Sequence, residues 1–207
     1  LNIKENDQYG ILEVGMDKKG EIDYLTRIIE PNIGVITNIN YAHAKNFKNI
    51  KQIALAKSEI INNIKSNGSI ILNADDKFFK LHKQISQKKN LKLISFGIKS
   101  NRADVKLIDI KSFGKNFKIK IRFMNKIKYF IISNDYQNNI YNILSALAVI
   151  SVNLNIFNLN QNIFLNFRIP DGRGDHSLIK INNKKINLID QSYNSNPLSL
   201  SSAIKNF

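Results

Sequence analysis

The sequence predicts an α/β protein: a mainly parallel sheet flanked by helices, with a smaller antiparallel section further along the chain. Three observations carry that prediction. Short runs rich in Ile and Val, bounded by Gly, Asn or Asp, recur in the first half. Segments with helical spacing lie between them. Beyond about Ala103 the texture shifts to period two. Strands buried on both faces of a parallel sheet read as continuous apolar runs, whereas strands with one wet face alternate.

Taken in order, YGILEV (9–14), GVITNI (34–39) and SIILNA (69–74) read as buried strands. Between them, EIDYLTRII (21–29) and NIKQIALAKSEIINNIK (49–65) have the spacing of helices. LKLISFG (91–97) continues the series as a strand. The stretch VKLIDIKSFGKNFKIKIRFMNKIKYFIIS then alternates, with turns expected at Gly114-Lys115 and Asn125-Lys126, which predicts antiparallel strands. NNIYNILSALAVISVNL (138–154) reads as a helix. RIPDGRGDHS (168–177) reads as a loop, because Pro170, Gly172 and Gly174 break regular structure. SLIKINNKKINLID (177–190) reads as a hairpin, and Pro197 stands near the first turn of a last helix. A domain boundary is expected near Pro170, separating residues 1–169 from residues 170–207.

Hydrophobic content of 43% and charged content of 23% are ordinary for a globular protein, so a core is affordable at this length. No run approaches the roughly 20 apolar residues that span a bilayer, and no secretory signal opens the chain. The absence of Cys excludes disulfides and thiolate metal sites. The expectation is a cytoplasmic monomer with no membrane insertion. A formal charge of +15 raises the possibility of a nucleic-acid partner. The basic residues are scattered, however, and only Arg27, Arg102, Arg122, Arg168 and Arg173 are Arg, the better residue for phosphate and base recognition. No nucleic-acid partner is expected.

Five places carry residue types suited to chemistry. Glu13 interrupts an apolar run just before Gly15, at what would be the carboxyl end of a strand, where open α/β sheets hold ligands. It reads equally as a Mg²⁺ ligand or as an edge residue facing a surface Lys. His43 follows GVITNI in a loop; its candidacy depends on Glu13 lying at the matching end of a neighbouring strand. Lys57 falls in the middle of a helical stripe formed by Ile50, Ile53, Ala54, Ile61 and Ile64, while Lys51, Gln52, Glu59 and Asn62 lie off it. An unpaired ammonium there is costly, so Lys57 is either functional or reaches past its neighbours to water. Arg173, between two glycines, can approach a phosphate closely. Asp190 ends a strand and leads into a polar segment that could equally serve to cap a helix. Gly10 to Gly15 and Gly15 to Gly20 have the glycine spacing of a phosphate loop, but neither is followed by Lys and Ser or Thr, so no phosphate loop is present.

In order along the chain, ILEVGMDKKGEIDYL, GVITNINYAH, ALAKSEI, SIILNADD, DGRG and IDQSYNSNP resemble the successive segments of the Mur ligase family. Each motif alone is weak; six in register over roughly 180 residues are specific. The resemblance implies a central ATP-binding domain followed by the start of a Rossmann-like carboxyl-terminal domain. It implies ATP and Mg²⁺ as cofactors, with Glu13 and His43 on the metal and Lys57 carbamylated beside it. By the same resemblance Asn142 would lie near the base, Arg173 near the phosphates and Asp190 near the ribose. Where the family carries Gly-x-His upstream of Asn142, this chain has Asp135-Tyr136-Gln137. Lys57 and Arg173 are the implied catalytic residues.

The form SYNSNP points to the branch that uses UDP-N-acetylmuramoyl-tripeptide and D-alanyl-D-alanine as substrates, joining them through an acyl phosphate. Rival readings are the ligase adding the third stem residue, folylpolyglutamate synthase, and a nucleotide-binding module without ligase activity. The chain opens on Leu1 and closes on a helical pattern with no stop signal, so it reads as a piece of a longer protein. The resemblance then implies a phosphate loop upstream of Glu13, more of the last domain beyond Phe207, and a piece that is catalytically silent alone.

Overall fold

A computed structural model describes residues 4–41, 46–134, 139–167, 169–182, 184–193, 200–201 and 204. The chain divides into two compact units, one of residues 1–70 with 76–93, the other of residues 71–75 with 94–207. Its mostly parallel six-stranded sheet has its strands in sequence order, β1 (Ile33–Ile36), β2 (Ser69–Asn73), β3 (Lys92–Gly97), β4 (Val105–Phe113), β5 (Asn116–Phe123) and β6 (Lys126–Ser133). A separate two-stranded sheet holds β7 (Asp175–Ile181) and β8 (Lys184–Asp190). This is the α/β architecture expected, with the antiparallel section at β4 to β6.

The first unit carries α1 (Glu21–Ile29), α2 (Ile50–Lys57), α3 (Glu59–Asn62) and α4 (Phe79–Lys88). Its core is Ile22, Ile36, Ile39, Ile53, Ala54, Ile61, Ile64 and Ile70, all nearly inaccessible to solvent. Fully burying one such side chain is worth about 1.5–3 kcal/mol. The expected helix over 49–65 forms with Asn49 as N-cap, its side chain accepting from the Gln52 N–H, but it is interrupted at Ser58. Beyond that break Glu59 turns back to α1. Its two carboxylate oxygens each accept from the Gly20 N–H at 3.0 Å, and one also accepts from Asp23 N–H at 3.2 Å. Those are N-terminal amides of α1, which Gly20 itself cannot cap, and a carboxylate there is favoured by the helix dipole.

In the second unit β4, β5 and β6 pair antiparallel in a continuous ladder, with one irregularity between Leu107 and Asp109, while β3 pairs parallel with β4. Helix α5 (Ile140–Asn153) turns Ile143, Leu144, Leu147 and Ala148 inward. The buried side chains Phe96, Val105, Ile119, Ile121, Phe130 and Ile132 complete that core. Phe164 packs edge-on against Phe130 at a centroid distance of 5.4 Å.

Three local expectations are corrected. The run 9–14 forms no strand, and Ile11 is 94% exposed. An apolar run becomes a strand only where another strand offers its N–H and C=O groups, and none does so here. The turn after β5 falls at Met124-Asn125, one residue earlier than expected, because Phe123 and Lys126 pair across it; Met124 takes a φ of 51°. Helix α4 went unread because two of its inward residues are polar. His82 is 2% exposed and Ser86 fully buried, so no apolar stripe marks the segment. The helix expected after Pro197 lies largely outside the described residues. Among the described residues no helix is long and apolar enough to cross a membrane.

Candidate functional site

The carboxyl end of β1 gathers the first group of polar side chains. Lys57, the last residue of α2, donates from Nζ to the Asn38 carbonyl at 3.1 Å. The next residue, Ile39, donates its backbone N–H to Asp76 Oδ2 at 2.9 Å, and Asp76 Oδ1 accepts from the Phe78 N–H at 2.8 Å. Burial pushes the Lys57 amine down from its ordinary pKa, and the negative charge of Asp76 pulls partly in the other direction. His82 reaches the same neighbourhood from α4, its Nε2 bonded to the Ala54 carbonyl at 3.0 Å. Burial lowers its pKa, the Ala54 bond and Asp76 oppose the shift, and Lys57 adds to it.

Lys57 is half-buried on a segment whose Ile53, Ala54 and Ile61 are buried, as the stripe predicted, with its charge facing one carbonyl and one nearby carboxylate. Glu13 lies exposed in the irregular segment before α1. His43, and Gln137 with its neighbours, lie outside the described residues. Among the described residues no cluster of three or more His, Asp or Glu side chains is formed that could hold a metal.

The second group lies in the other unit, where two segments distant in sequence are stitched together. The Gly174 N–H donates to the Asp190 carbonyl at 2.6 Å, and the Tyr193 N–H donates to the Gly172 carbonyl at 3.0 Å. Both glycines have left-handed backbones, with φ of 74° and 97°. A Cβ on Gly172 would lie 2.9 Å from the Tyr193 Cβ, so this close approach requires glycine twice over. Between them, the Arg173 guanidinium lies over the Tyr193 ring, 4.5 Å from its centroid. The Asp190 carboxylate accepts from the Ser192 N–H at 2.8 Å, and its bonds with Ser192 hold its pKa below the usual carboxylate value. Arg173 and Asp190, singled out separately from the sequence, are thus neighbours through the backbone.

Asn142 lies in the first turn of α5, exposed, with its Nδ2 donating to Asn139 Oδ1 at 3.2 Å. One residue earlier, Tyr141 donates its hydroxyl to Asp75 Oδ2 at 2.9 Å. Asp75 and Asp76 are adjacent in the turn after β2, yet they serve different groups. Of these residues, Asp75 and Asp76 lie within the SIILNADD motif, to which no individual role was attached, and Tyr141, His82 and Glu59 carried no functional signal in the sequence. Only the NADD turn itself signalled any of these; the partners lie up to 66 residues away.

These elements and residues define a class. The Mur ligase middle domain matches residues 1–150, and the chain belongs to that family. Among curated relatives, it is similar to the UDP-N-acetylmuramoyl-tripeptide–D-alanyl-D-alanine ligase of Rickettsia prowazekii, at 31% identity over 99% of this chain and 44% of the relative. Among solved structures, it resembles MurF from Acinetobacter baumannii with a TM-score of 0.80 and 23% identity, covering 98% of this chain and 43% of that one. MurF ligase from Thermotoga maritima in complex with ADP gives a TM-score of 0.72 at 21% identity, over 90% of this chain and 41% of that one. Those two likenesses establish the fold. The chain spans less than half the length of the relatives it matches.

Proposed function

We propose that this chain forms part of an ATP-dependent carbon–nitrogen ligase that joins D-alanyl-D-alanine to UDP-N-acetylmuramoyl-tripeptide in peptidoglycan precursor synthesis. Residues 1–169 would serve as the ATP-binding domain and residues 170–207 as part of the ligase domain that follows. The enzyme would work as a cytoplasmic monomer. The observation that supports this reading is the backbone stitching of DGRG to IDQSY, which holds the Arg173 guanidinium over the Tyr193 ring and ties Gly174 to the Asp190 carbonyl in a chain of this family. The SYNSNP form of the second segment favours the D-alanyl-D-alanine branch over the rival ligases.

In the proposed reaction, a terminal carboxylate oxygen of the tripeptide attacks the γ-phosphorus of ATP, the bond to the β-phosphate breaks, and ADP leaves as the acyl phosphate forms. The amine of D-alanyl-D-alanine then attacks the acyl phosphate carbon, and phosphate leaves from a tetrahedral intermediate as the amide forms. Arg173, held over Tyr193, would face the transferring phosphoryl oxygens, where a fixed cation offsets developing charge. Asp190 would accept from ribose hydroxyls, which its low pKa suits, since it stays an ionised acceptor. Asn142 keeps its side-chain oxygen and one amide proton for the purine edge.

No strand forms at 9–14, so the strand-end argument for Glu13 and His43 falls away. On the family resemblance, Mg²⁺ would be held by Glu13, His43 and Lys57 in its carbamate form, supplying charge to the phosphate oxygens. Magnesium takes oxygen ligands, and the Asn38 carbonyl and Asp76 carboxylate make the surroundings of Lys57 oxygen-rich, which fits. The lowered Lys57 pKa supports carbamylation, because only the neutral amine reacts with CO₂.

The test is phosphate release by the enzyme at its natural length, with ATP, the UDP-tripeptide and candidate amines. Release that requires D-alanyl-D-alanine is expected. Release with a single diamino acid on the UDP-dipeptide, and none with D-alanyl-D-alanine, would assign the chain to the rival that adds the third residue.

A further inference from the structure

The Asp75 carboxylate accepts four hydrogen bonds, three from one loop and one from the start of a helix. Its Oδ2 accepts from the backbone N–H of Ile98 at 2.6 Å and of Lys99 at 2.9 Å, and from the Tyr141 hydroxyl at 2.9 Å. Its Oδ1 accepts from the Ser100 N–H at 2.7 Å. Three of the four bonds crowd onto Oδ2 and one falls on Oδ1, so the carboxylate is held from the loop and from Tyr141 at once. The carbonyls of the same three residues are taken by Lys106, 9% exposed, whose Nζ donates to Ile98, Lys99 and Ser100 at 3.0, 3.3 and 3.3 Å. Every backbone polar group of the loop 98–100 is thus bound by a charged side chain.

The consequence runs through Tyr141. This residue precedes Asn142 in the first turn of α5, and its hydroxyl is bonded to the carboxylate that organises the loop. Burial and the neighbouring Asp75 push the Tyr141 hydroxyl up to about 12, so it remains a donor throughout the physiological range. Asn139 caps no backbone amide of α5; its side chain accepts from Asn142 instead, so the pair Asn139–Asn142 moves with the first turn. Asp75 ties that turn, through Tyr141, to the loop 98–100.

We infer that Asp75 and Tyr141 are positioning residues for nucleotide recognition: together they lock the loop 98–100 and the first turn of α5 into one rigid rim that orients Asn142 toward the base. This rests on the reading of Asn142 as a base contact. The pair touches no reacting atom, so it governs affinity and base selectivity, leaving the chemical step alone.

The test uses the enzyme at its natural length with fluorescent ADP, and compares wild type with Tyr141→Phe and Asp75→Asn. Losing one hydrogen bond to a charged group predicts ADP binding weakened roughly five- to tenfold in Tyr141→Phe. KM for ATP should rise in parallel, kcat should stay within about twofold, and preference for ATP over GTP should shrink. Asp75→Asn, whose amide would point donors at backbone donors, should weaken binding further. Hydrogen exchange at the amides of 98–100 should quicken in both variants. ADP affinity unchanged in Tyr141→Phe would overturn the inference while leaving the ligase reading intact. So would a fall in kcat and melting temperature together with no change in KM, which marks a purely structural pair. A wild-type enzyme that binds no adenine nucleotide would overturn both.

Discussion

Gly68 stands at a close backbone approach immediately before β2, and Gly68→Ala measures how rigid that approach is. A Cβ at this position would lie 2.5 Å from Ile64 Cγ2, 2.6 Å from the Asn32 carbonyl oxygen and 2.8 Å from the Lys65 carbonyl oxygen. The Ile64 methyl can turn away. The two oxygens cannot move freely, since Asn32 accepts from the Ser69 N–H at 2.9 Å and Lys65 accepts from the Gly68 N–H at 2.9 Å. Gly68 in turn accepts from the Lys92 N–H at 3.0 Å, at the start of β3. Opening the contacts by a few tenths of an ångström weakens two or three of these bonds, each worth about 1 kcal/mol. Overpacking alone costs about 1–3 kcal/mol. The sum is about 3 kcal/mol, and at about 2–4 °C per kcal/mol for a chain of this size the melting temperature should fall by about 6–12 °C. Thermal unfolding followed by circular dichroism reads this directly. Gly15→Ala is the control, because nothing lies within 4 Å of its Cβ position, and it should stay within about 0.5 kcal/mol of wild type. A Gly68→Ala protein melting within about 2 °C of wild type would refute the claim that backbone oxygens wall this site.

Two further expectations concern the cluster at the end of β1. In the enzyme at natural length, Lys57→Ala should lose at least about a hundredfold in kcat, with partial recovery on adding a short carboxylic acid that fills the gap. Lys57→Arg should not recover, since guanidinium cannot be carbamylated; full activity of that variant would remove the carbamate and leave Lys57 structural. His82, whose folded pKa lies below the ordinary 6.5, should make the first unit acid-sensitive. Its contribution is fully present above about 6.5 and is lost as pH falls, because the unfolded chain takes up the proton first. Between pH 7.5 and 5.5 the melting temperature should therefore drop more in wild type than in His82→Gln, whose amide keeps a donor for the Ala54 carbonyl; equal drops would exclude His82 as the cause.

Much of this molecule was legible in the order of its residues. The strands β1 to β6, helices α1, α2 and α5, and the hairpin of β7 and β8 all follow from local patterns, because burial on one face imposes a period that the sequence must carry. Lys57 was legible for the same reason, as a charge in an apolar stripe. Helix α4 was not, since His82 and Ser86 occupy buried positions as hydrogen-bonded polar groups. The apolar run at 9–14 was misread because apolarity says that a segment can be buried, while strand formation needs a partner edge.

The motifs DGRG and IDQSY were visible as separate segments, but their meeting was decided by the fold, through bonds from Gly174 to Asp190 and from Tyr193 to Gly172. The same holds for Glu59 at the start of α1, Asp76 at Ile39 and Asp75 at Tyr141, pairs separated by 36 to 66 residues. Local periodicity reports which face of an element is buried. It carries no information on which distant amide will satisfy a given carboxylate. That choice belongs to the topology, which brings the ends of strands and the starts of helices within about 3 Å of one another.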